Sequence, residues 1–590
     1  MPSLKETANA VYSSPPRAPL AFRAGVVGHR PNRLKEADLA VLAGELRAIL
    51  NAVKEEVETA QRESDGLYTN DAPILRALSP LAEGVDRIFA EQALDLGYEL
   101  CCVTPFPKEE FKNDFEANSS RDHFESILSR ARAETNLTLF QLDGSRSDNE
   151  SAYGAAGRVV LNQSDLLVVV WDGKRKGKRG GTEETFDEVR ERGIPVVWVD
   201  AKMPHHWQLV NATTQIPMPE ESEPVSPDGP SNLTGLRNMV QSALVLPAHD
   251  NSEKPPAYGR ASGDKRRLRL ERFYAEGQPA FTLAVAWKAF RDVVGDGIPP
   301  RVQFTVRAFE EAVQDEWPRD RATPIAALVD TLRPYYAWPD KLAVLYSDRY
   351  RSAYVAAFFL AAVAVGMALL PVGARLTPHH PGETLCIALE LVCIVVILAL
   401  IWFGRRGRWH QRWLAYRLAA ELVRHLRLIA PLGGKRPFPQ IPAQWATYGL
   451  PGASWMAWYV RAIERALGLP AVEVTRDYLS ASLVHLRASV DGQADWHETN
   501  CERAGRIDHN LHVSSITLLV VTLLACAMHL LPGIWHFIHY PGWLPPALTF
   551  LCGFCPALGA AMAGIINQGE FRRLEKRSKA MKEQLEIISK

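Results

Sequence analysis

Gly25-Val26-Val27-Gly28-His29-Arg30 is the first of three short segments whose residue types suit the handling of a phosphorylated ligand. An apolar run from Phe22 ends in Gly28 and a helical pattern follows over 36–58, so residues 28–33 are expected to form the turn between strand and helix. Free N–H groups and partial positive charge at a helix N-terminus favour phosphate. The third segment, 164–182, repeats the pattern: the apolar strand 166–171 runs into Asp172 and Gly173, and Gly180-Gly181-Thr182 opens a helix over 183–192. Glycine lets the backbone approach a ligand, and Thr182 can cap that helix and bond a phosphate oxygen. Between them, SPLAEGVDR at 79–87 places Ser79, Glu83, Gly84 and Asp86 after another apolar strand. A single glycine-bearing turn is ordinary in any α/β domain. Three of them at strand C-terminal ends, where open α/β sheets bind ligands, make Gly25, Gly28, His29, Arg30, Ser79, Glu83, Gly84, Asp86, Asp172, Gly173, Gly180, Gly181 and Thr182 the candidate binding set.

In order and spacing the three segments resemble the SLOG superfamily, Rossmann-like domains related to the DNA-processing protein DprA and the Lonely Guy hydrolases. The resemblance covers about residues 21–202, closing on the strand 195–200. It implies an α/β Rossmann-like N-terminal domain and a nucleotide or NAD-derived ligand, with no further cofactor. Lonely Guy enzymes cleave the base from nucleoside monophosphates with an Arg and a Glu beside a glycine-rich loop. Glu184 matches that glutamate, but the expected arginine falls on Ala156, and Arg158 is out of register. Glycosidic cleavage needs help at the leaving base and a polarised water. Sensing without catalysis is therefore the expectation, and a membrane-tethered nucleoside-monophosphate N-glycosidase using Glu184 and Arg158 is the alternative.

The elements behind these segments are of two kinds. Beyond the α/β part, 353–372, 385–403, 513–531 and 544–566 are apolar runs of the length that crosses a bilayer as helix. They read as two hairpins with short loops at 375–384 and 532–543. Lys341, Arg349, Arg351, Arg405, Arg406, Arg408, Arg503, Arg506, Arg572, Arg573, Lys576 and Arg577 flank the outer ends, and only Arg375 lies in a hairpin loop. The positive-inside rule then predicts a multi-pass membrane protein with both termini cytoplasmic. Glu390 is the one acid inside a span, a residue that either faces a bundle interior or water path, the gating assignment, or sits neutral and hydrogen-bonded near an interface. His529 reads as interfacial, and Gly559, Ala560, Ala563 and Gly564 as a face for close helix packing. The broken helices of transporters are not expected.

The stretch 348–354 before the first span, and Trp413, Tyr416, Arg417, Glu421 and Arg424 after the second, resemble the SLATT transmembrane effectors, although that module has two spans rather than four. The resemblance implies a nucleotide sensor that gates a membrane-permeabilising module in bacterial antiphage defence.

At 590 residues the chain is too long for one core, and 67 basic against 67 acidic residues argue against a nucleic-acid partner. Eight cysteines show neither a disulfide framework nor zinc spacing, and no metal is expected. Residues 1–20 read as a disordered leader without a signal peptide, 203–263 as a loop-rich linker, and 264–345 as a helical coupling segment. Within that last stretch, Phe304, Ala308, Phe309, Ala312 and Val313 are expected on one helix face. The first hairpin and its cytoplasmic helix take 346–430, with Trp413, Tyr416, Leu418, Ala420 and Leu422 apolar on that helix. A cytoplasmic helical segment takes 431–512, and the second hairpin 513–566. In 567–590, Phe571, Leu574, Ser578, Met581, Leu585 and Ile588 form a heptad seam, read either as a homo-oligomer contact or as a helix on the lipid surface.

Overall fold

The computed structural model describes residues 12–64, 66–115, 117–174, 181–192, 194–210, 229–246, 263–314, 317, 325–377, 380–434, 454–534 and 540–590. In chain order its main elements are β1 Ala21–Gly28, α1 Leu39–Glu63, β2 Ile74–Ser79, α2 Val85–Asp95, β3 Glu99–Thr104, α3 Asn118–Glu134, β4 Leu137–Gln141, α4 Asn149–Gln163, β5 Leu166–Trp171, α5 Thr182–Arg192, β6 Val196–Asp200 and β7 Trp207–Val210. Then come the helices α6 Gly229–Leu244, α7 Gly263–Tyr274, α8 Ala326–Gly373, α9 Pro381–Gly407, α10 Trp409–Ile429 and α11 Trp455–Leu467, the short strand β8 Val472–Glu473, and α12 Arg476–Ile534, α13 Leu544–Gly569 and α14 Phe571–Ser589.

The chain forms two compact units. The first joins residues 1–277, 313–338 and 418–483; the second joins 278–312, 339–417 and 484–590. The division falls inside α8, α10 and α12.

The first unit is built on an eight-stranded sheet in the order β7-β6-β5-β1-β2-β3-β4-β8. All neighbours are parallel except β6 and β7. All six residues of β5 are buried, which requires both faces of the sheet to be covered. The stretch read as a linker supplies β7 at the edge and α6, whose Leu236, Val240 and Leu244 are fully buried.

The other edge comes from far along the chain. Residues 418–483, which lie in sequence between the second and third long apolar helices, fold into this unit rather than forming a separate helical segment. β8 pairs with β4, and α11 is fastened to the sheet by charge. Arg23, 1 % exposed, donates to Asp165 at 3.2 Å, Gln163 at 2.8 Å and Glu464 of α11 at 3.3 Å. Arg465 donates to Asp165 at 3.1 Å, and Arg76 donates to the carbonyls of Arg465 and Ala466, satisfying the end of α11. Burial alone would lower the Arg23 guanidinium's pKa; the charges of Asp165 and Glu464 outweigh it and raise it. Removing one partner of such a buried group costs about 3–5 kcal/mol.

Among the described residues, four helices that lie wholly or mostly in the second unit are long and apolar enough to cross a membrane: α8, α9, α12 and α13 with its continuation. Glycines set the close approaches. A Cβ on Gly366 would lie 3.0 Å from Phe554, on Gly553 2.3 Å from Leu369, and on Gly564 2.3 Å from Phe358, so α8 and α13 meet along their length. On the other side of α13, Ser515 of α12 donates to the carbonyl of Gly559. At one end of these helices Trp287, Phe290, Val355, Ile507, Leu511, Ile565 and Phe571 form an aromatic cluster. Arg503 binds Asp296 at 2.8 Å, and Arg506 donates to the carbonyl of Gly295.

Three expected helical faces differ. Residues 302–307 are extended, with Thr305 bridged to Phe281 and Phe304 half exposed; the Val302, Phe304, Val306 alternation follows a strand period, after two prolines that cannot join a helix interior. On α10, Tyr416, Ala420 and Leu422 are buried as expected but Leu418 is 39 % exposed, its place taken by Ala419 and Val423. The heptad seam of α14 closes within the chain: Phe571 and Ser578 are buried, Asn500 of α12 donates to Ser578 at 2.8 Å, and Lys582 binds Glu498 at 2.6 Å. Met581 and Ile588 of the seam stay exposed.

Candidate functional site

Strand order reverses at β1: β2, β3 and β4 lie on one side, β5 and β6 on the other. The crevice of an open α/β sheet lies over the carboxyl ends of strands at such a reversal. Here those ends are Gly28-His29 after β1 and Asp172-Gly173 after β5, with Gly28 in register with Val170.

His29 and Asp172 meet there. The His29 Nε2 is 3.0 Å from Asp172 Oδ1 and 3.2 Å from the Asp172 backbone nitrogen. One ring nitrogen cannot serve both: protonated, it donates to the carboxylate, and unprotonated, it accepts from the N–H. Arg33 adds a forked contact to both Asp172 oxygens at 2.7 and 2.9 Å. Burial pushes the Asp172 carboxyl up, but hydrogen bonds from His29, the Lys174 backbone and Arg33 hold it below the usual carboxylate range. Gly173 has φ +74°, a conformation suited to glycine. Arg30 is exposed beside this cluster, its guanidinium 5.0 Å over the Tyr153 ring.

The 79–87 segment closes the floor. Ser79 accepts from Leu81 N–H at 3.1 Å and donates to the Asp86 carbonyl at 3.0 Å, so its hydroxyl is spent inside the turn. Gly84 has φ +102°, and a Cβ there would lie 2.6 Å from the His29 carbonyl, to which Val85 N–H donates. Glu83 accepts from Ser120, which also holds Arg87. Asp86 is 6 % exposed, and burial pushes its carboxyl up to about 7 against the Ala82 N–H and the charges of Arg30 and Arg87. An acid pushed up by burial in the first turn of α2 has the properties of a functional group.

Two glycines serve packing. A Cβ on Gly28 would lie 2.6 Å from Val85, and one on Gly25 would lie 2.0 Å from the Ser164 hydroxyl. The space beside Gly28 therefore belongs to α2. The turn after β1 also differs from the expected cradle: a short 3-10 turn Pro31–Arg33 follows, and α1 starts only at Leu39, its N-terminus capped by Asp38. A carboxylate already occupies the position an anion would take. The helix end that meets β1 is that of α2.

Gly180 lies outside the described residues. Gly181 and Thr182 stand at the start of α5, where Glu183 and exposed Glu184 share the first turn. Arg158 is exposed on α4, whereas Ala156 is 1 % exposed in the hydrophobic core. Glu390 is half-buried on α9, in step with buried Cys386 and Cys393 four residues before and three after, which puts it on the stripe facing protein. Among the described residues no His, Cys, Asp and Glu group is arranged to hold a metal ion.

The structure thus brings His29, Arg30, Gly84, Asp86 and Asp172 to one place and adds Arg33 and Tyr153, absent from the candidate set. Arg33 was legible as a second cation four residues after His29 in the same turn; Tyr153 carried no signal. No protein-family model matches the chain, and no curated protein matches it.

Proposed function

We propose that the protein is a membrane-bound ligand sensor: the α/β unit takes up a phosphorylated nucleotide or a NAD-derived compound over the ends of β1 and β5, and the long apolar helices respond. The observation that carries this reading is the membership of residues 418–483 in the α/β unit, held by Arg23, Arg76 and Arg465, because the same stretch continues into the second and third long helices. β5 lies between Asp165, which holds that stretch, and Asp172 at the crevice. A ligand that binds one arrangement of this strand better than another shifts the population, and only to the extent of that difference.

The ligand chemistry follows from the groups present. Arg30 and Arg33 offer planar forks suited to phosphate, and Asp172 accepts only, which suits a ribose hydroxyl once Arg33 turns to an anion. In this reading the unit is a SLOG-like Rossmann domain joined to a SLATT-like pore-forming module of four spans in two hairpins. The protein lies in the cell inner membrane with cytoplasmic termini and assembles as a homo-oligomer through what the α14 seam leaves exposed, Met581 and Ile588. The cations flanking the outer span ends support the orientation, and the antiphage role rests on the resemblance alone. The N-glycosidase alternative is disfavoured by Ala156 lying in the core where that chemistry wants an arginine.

The test is equilibrium binding of nucleoside phosphates and NAD-derived compounds to the full chain in detergent. At least one compound is expected to bind, and Arg33→Ala to weaken it about tenfold or more, the worth of a charge-assisted hydrogen bond. Binding indifferent to Arg33 contradicts the site, and base release that depends on Glu184 makes the protein a hydrolase.

A further inference from the structure

Between α8 and α9, within the second unit, lies a groove of about 670 Å³. Its depth is apolar, lined by Ala357, Phe358 and Ala361 of α8 and by Ile397 and Leu400 of α9. Its mouth carries Arg405 and Arg408, and no acidic residue lines it. Both guanidiniums are exposed, and neither has a hydrogen bond or ion pair to a side chain among the described residues. Arg408 sits at φ +49°, turning the chain from α9 into α10.

The groove straddles the point where an apolar span ends. Ile397 and Leu400 belong to the run that reaches Phe403, and Arg405 and Arg408 follow within two to five residues. Trp402 and Trp409 flank this boundary, the place aromatic residues take at the headgroup level of a bilayer. The apolar wall thus sits at hydrocarbon depth and the cations at the height of the phosphates. The volume falls within the about 300–1,000 Å³ of small-ligand sites.

We infer that the groove is a binding site for an anionic glycerophospholipid, with an acyl chain against Ala357, Ala361 and Leu400 and the phosphate on Arg405 and Arg408. Tyr350, Tyr354, His410, Gln411 and Gln568 also line the groove, and a lipid is favoured over a nucleotide because Ala357, Phe358, Ala361, Ile397 and Leu400 lie within the apolar runs of two spans. A zwitterionic lipid brings an ammonium toward two guanidiniums. The occupant that satisfies both ends has a hydrocarbon chain and an uncompensated negative charge.

The test uses the full chain in detergent, titrated with dioleoyl phosphatidylglycerol, dioleoyl phosphatidylcholine or inorganic phosphate. Lipid retention is read by native mass spectrometry and stability by thermal unfolding. The wild-type chain is expected to retain the anionic lipid in preference to the zwitterionic one, and phosphate alone to leave the unfolding temperature unchanged. Arg405→Gln with Arg408→Gln is expected to weaken the anionic lipid by about fivefold per arginine and to leave phosphatidylcholine unaffected. Ala357→Leu, which fills the groove, is expected to weaken both lipids. Equal retention of the two lipids by the wild-type chain overturns the proposal, as does a preference that survives the double substitution. Stabilisation by inorganic phosphate alone assigns the arginines to a free anion and equally overturns it.

Discussion

Asp86 and Asp172 are pushed in opposite directions, one up by burial and one down by its donors. For Asp86 the folded value of about 7 lies above the unfolded value near 4, so the folded state favours the protonated carboxyl. Its contribution is fully present below about pH 4, is lost as pH rises towards 7, and changes no further above that. Asp86→Asn keeps an acceptor for the Ala82 N–H without the charge. It is expected to be more stable than wild type by about 1–3 kcal/mol at pH 8 and close to wild type at pH 4, by thermal unfolding of the full chain. A gap independent of pH contradicts the buried position of this carboxyl. At this scale the sequence was a good guide to identity and a poor one to role. His29 and Asp172 were legible because polar residues directly after apolar strands have few other reasons to be there, and Asp86 because it follows the turn after β2, in the first turn of α2. Gly28 and Gly25 were legible as glycines but not as packing glycines, because the atoms that need their space, Val85 and Ser164, come from distant segments.

Elements with a strong period were readable and those set by partners were not. The four long apolar helices stand where the hydropathy runs placed them. β8 has two residues and no period of its own; only β4 makes it a strand. The seam of α14 was visible, but its partner, α12 of the same chain, is chosen by Asn500 and Glu498, which have no periodic signature. The contact between β1 and α2 gives a sharp test at this scale. Gly28→Val pushes a branched side chain into Val85 and is expected to cost about 1–3 kcal/mol, read as a lower unfolding temperature. Gly44→Ala on α1, where an added Cβ meets nothing within 4 Å, is expected to gain about 0.5–1 kcal/mol. If Gly28→Val unfolds as wild type does, α2 does not close on β1 in this way.

For the whole molecule, the consequential feature is that residues near 23, 76 and 165 and residues near 464 belong to one folded unit. The linear reading missed this, since a window along the chain sees 431–512 only as another helical stretch, whereas buried charges more than 400 residues apart are paired by the fold alone. The proposed function requires that occupancy of the β1/β5 crevice be felt by the long apolar helices. It is tested most directly by dye release from liposomes that contain the full chain. Nucleoside phosphates and NAD-derived compounds are added to the wild type, to Arg33→Ala and to Glu390→Ala. A compound bound at the crevice is expected to change release, Arg33→Ala to abolish the response at the same concentration, and Glu390→Ala to alter release without altering binding. A compound that binds the crevice with full affinity and leaves release unchanged would contradict it and reduce the long helices to a membrane tether.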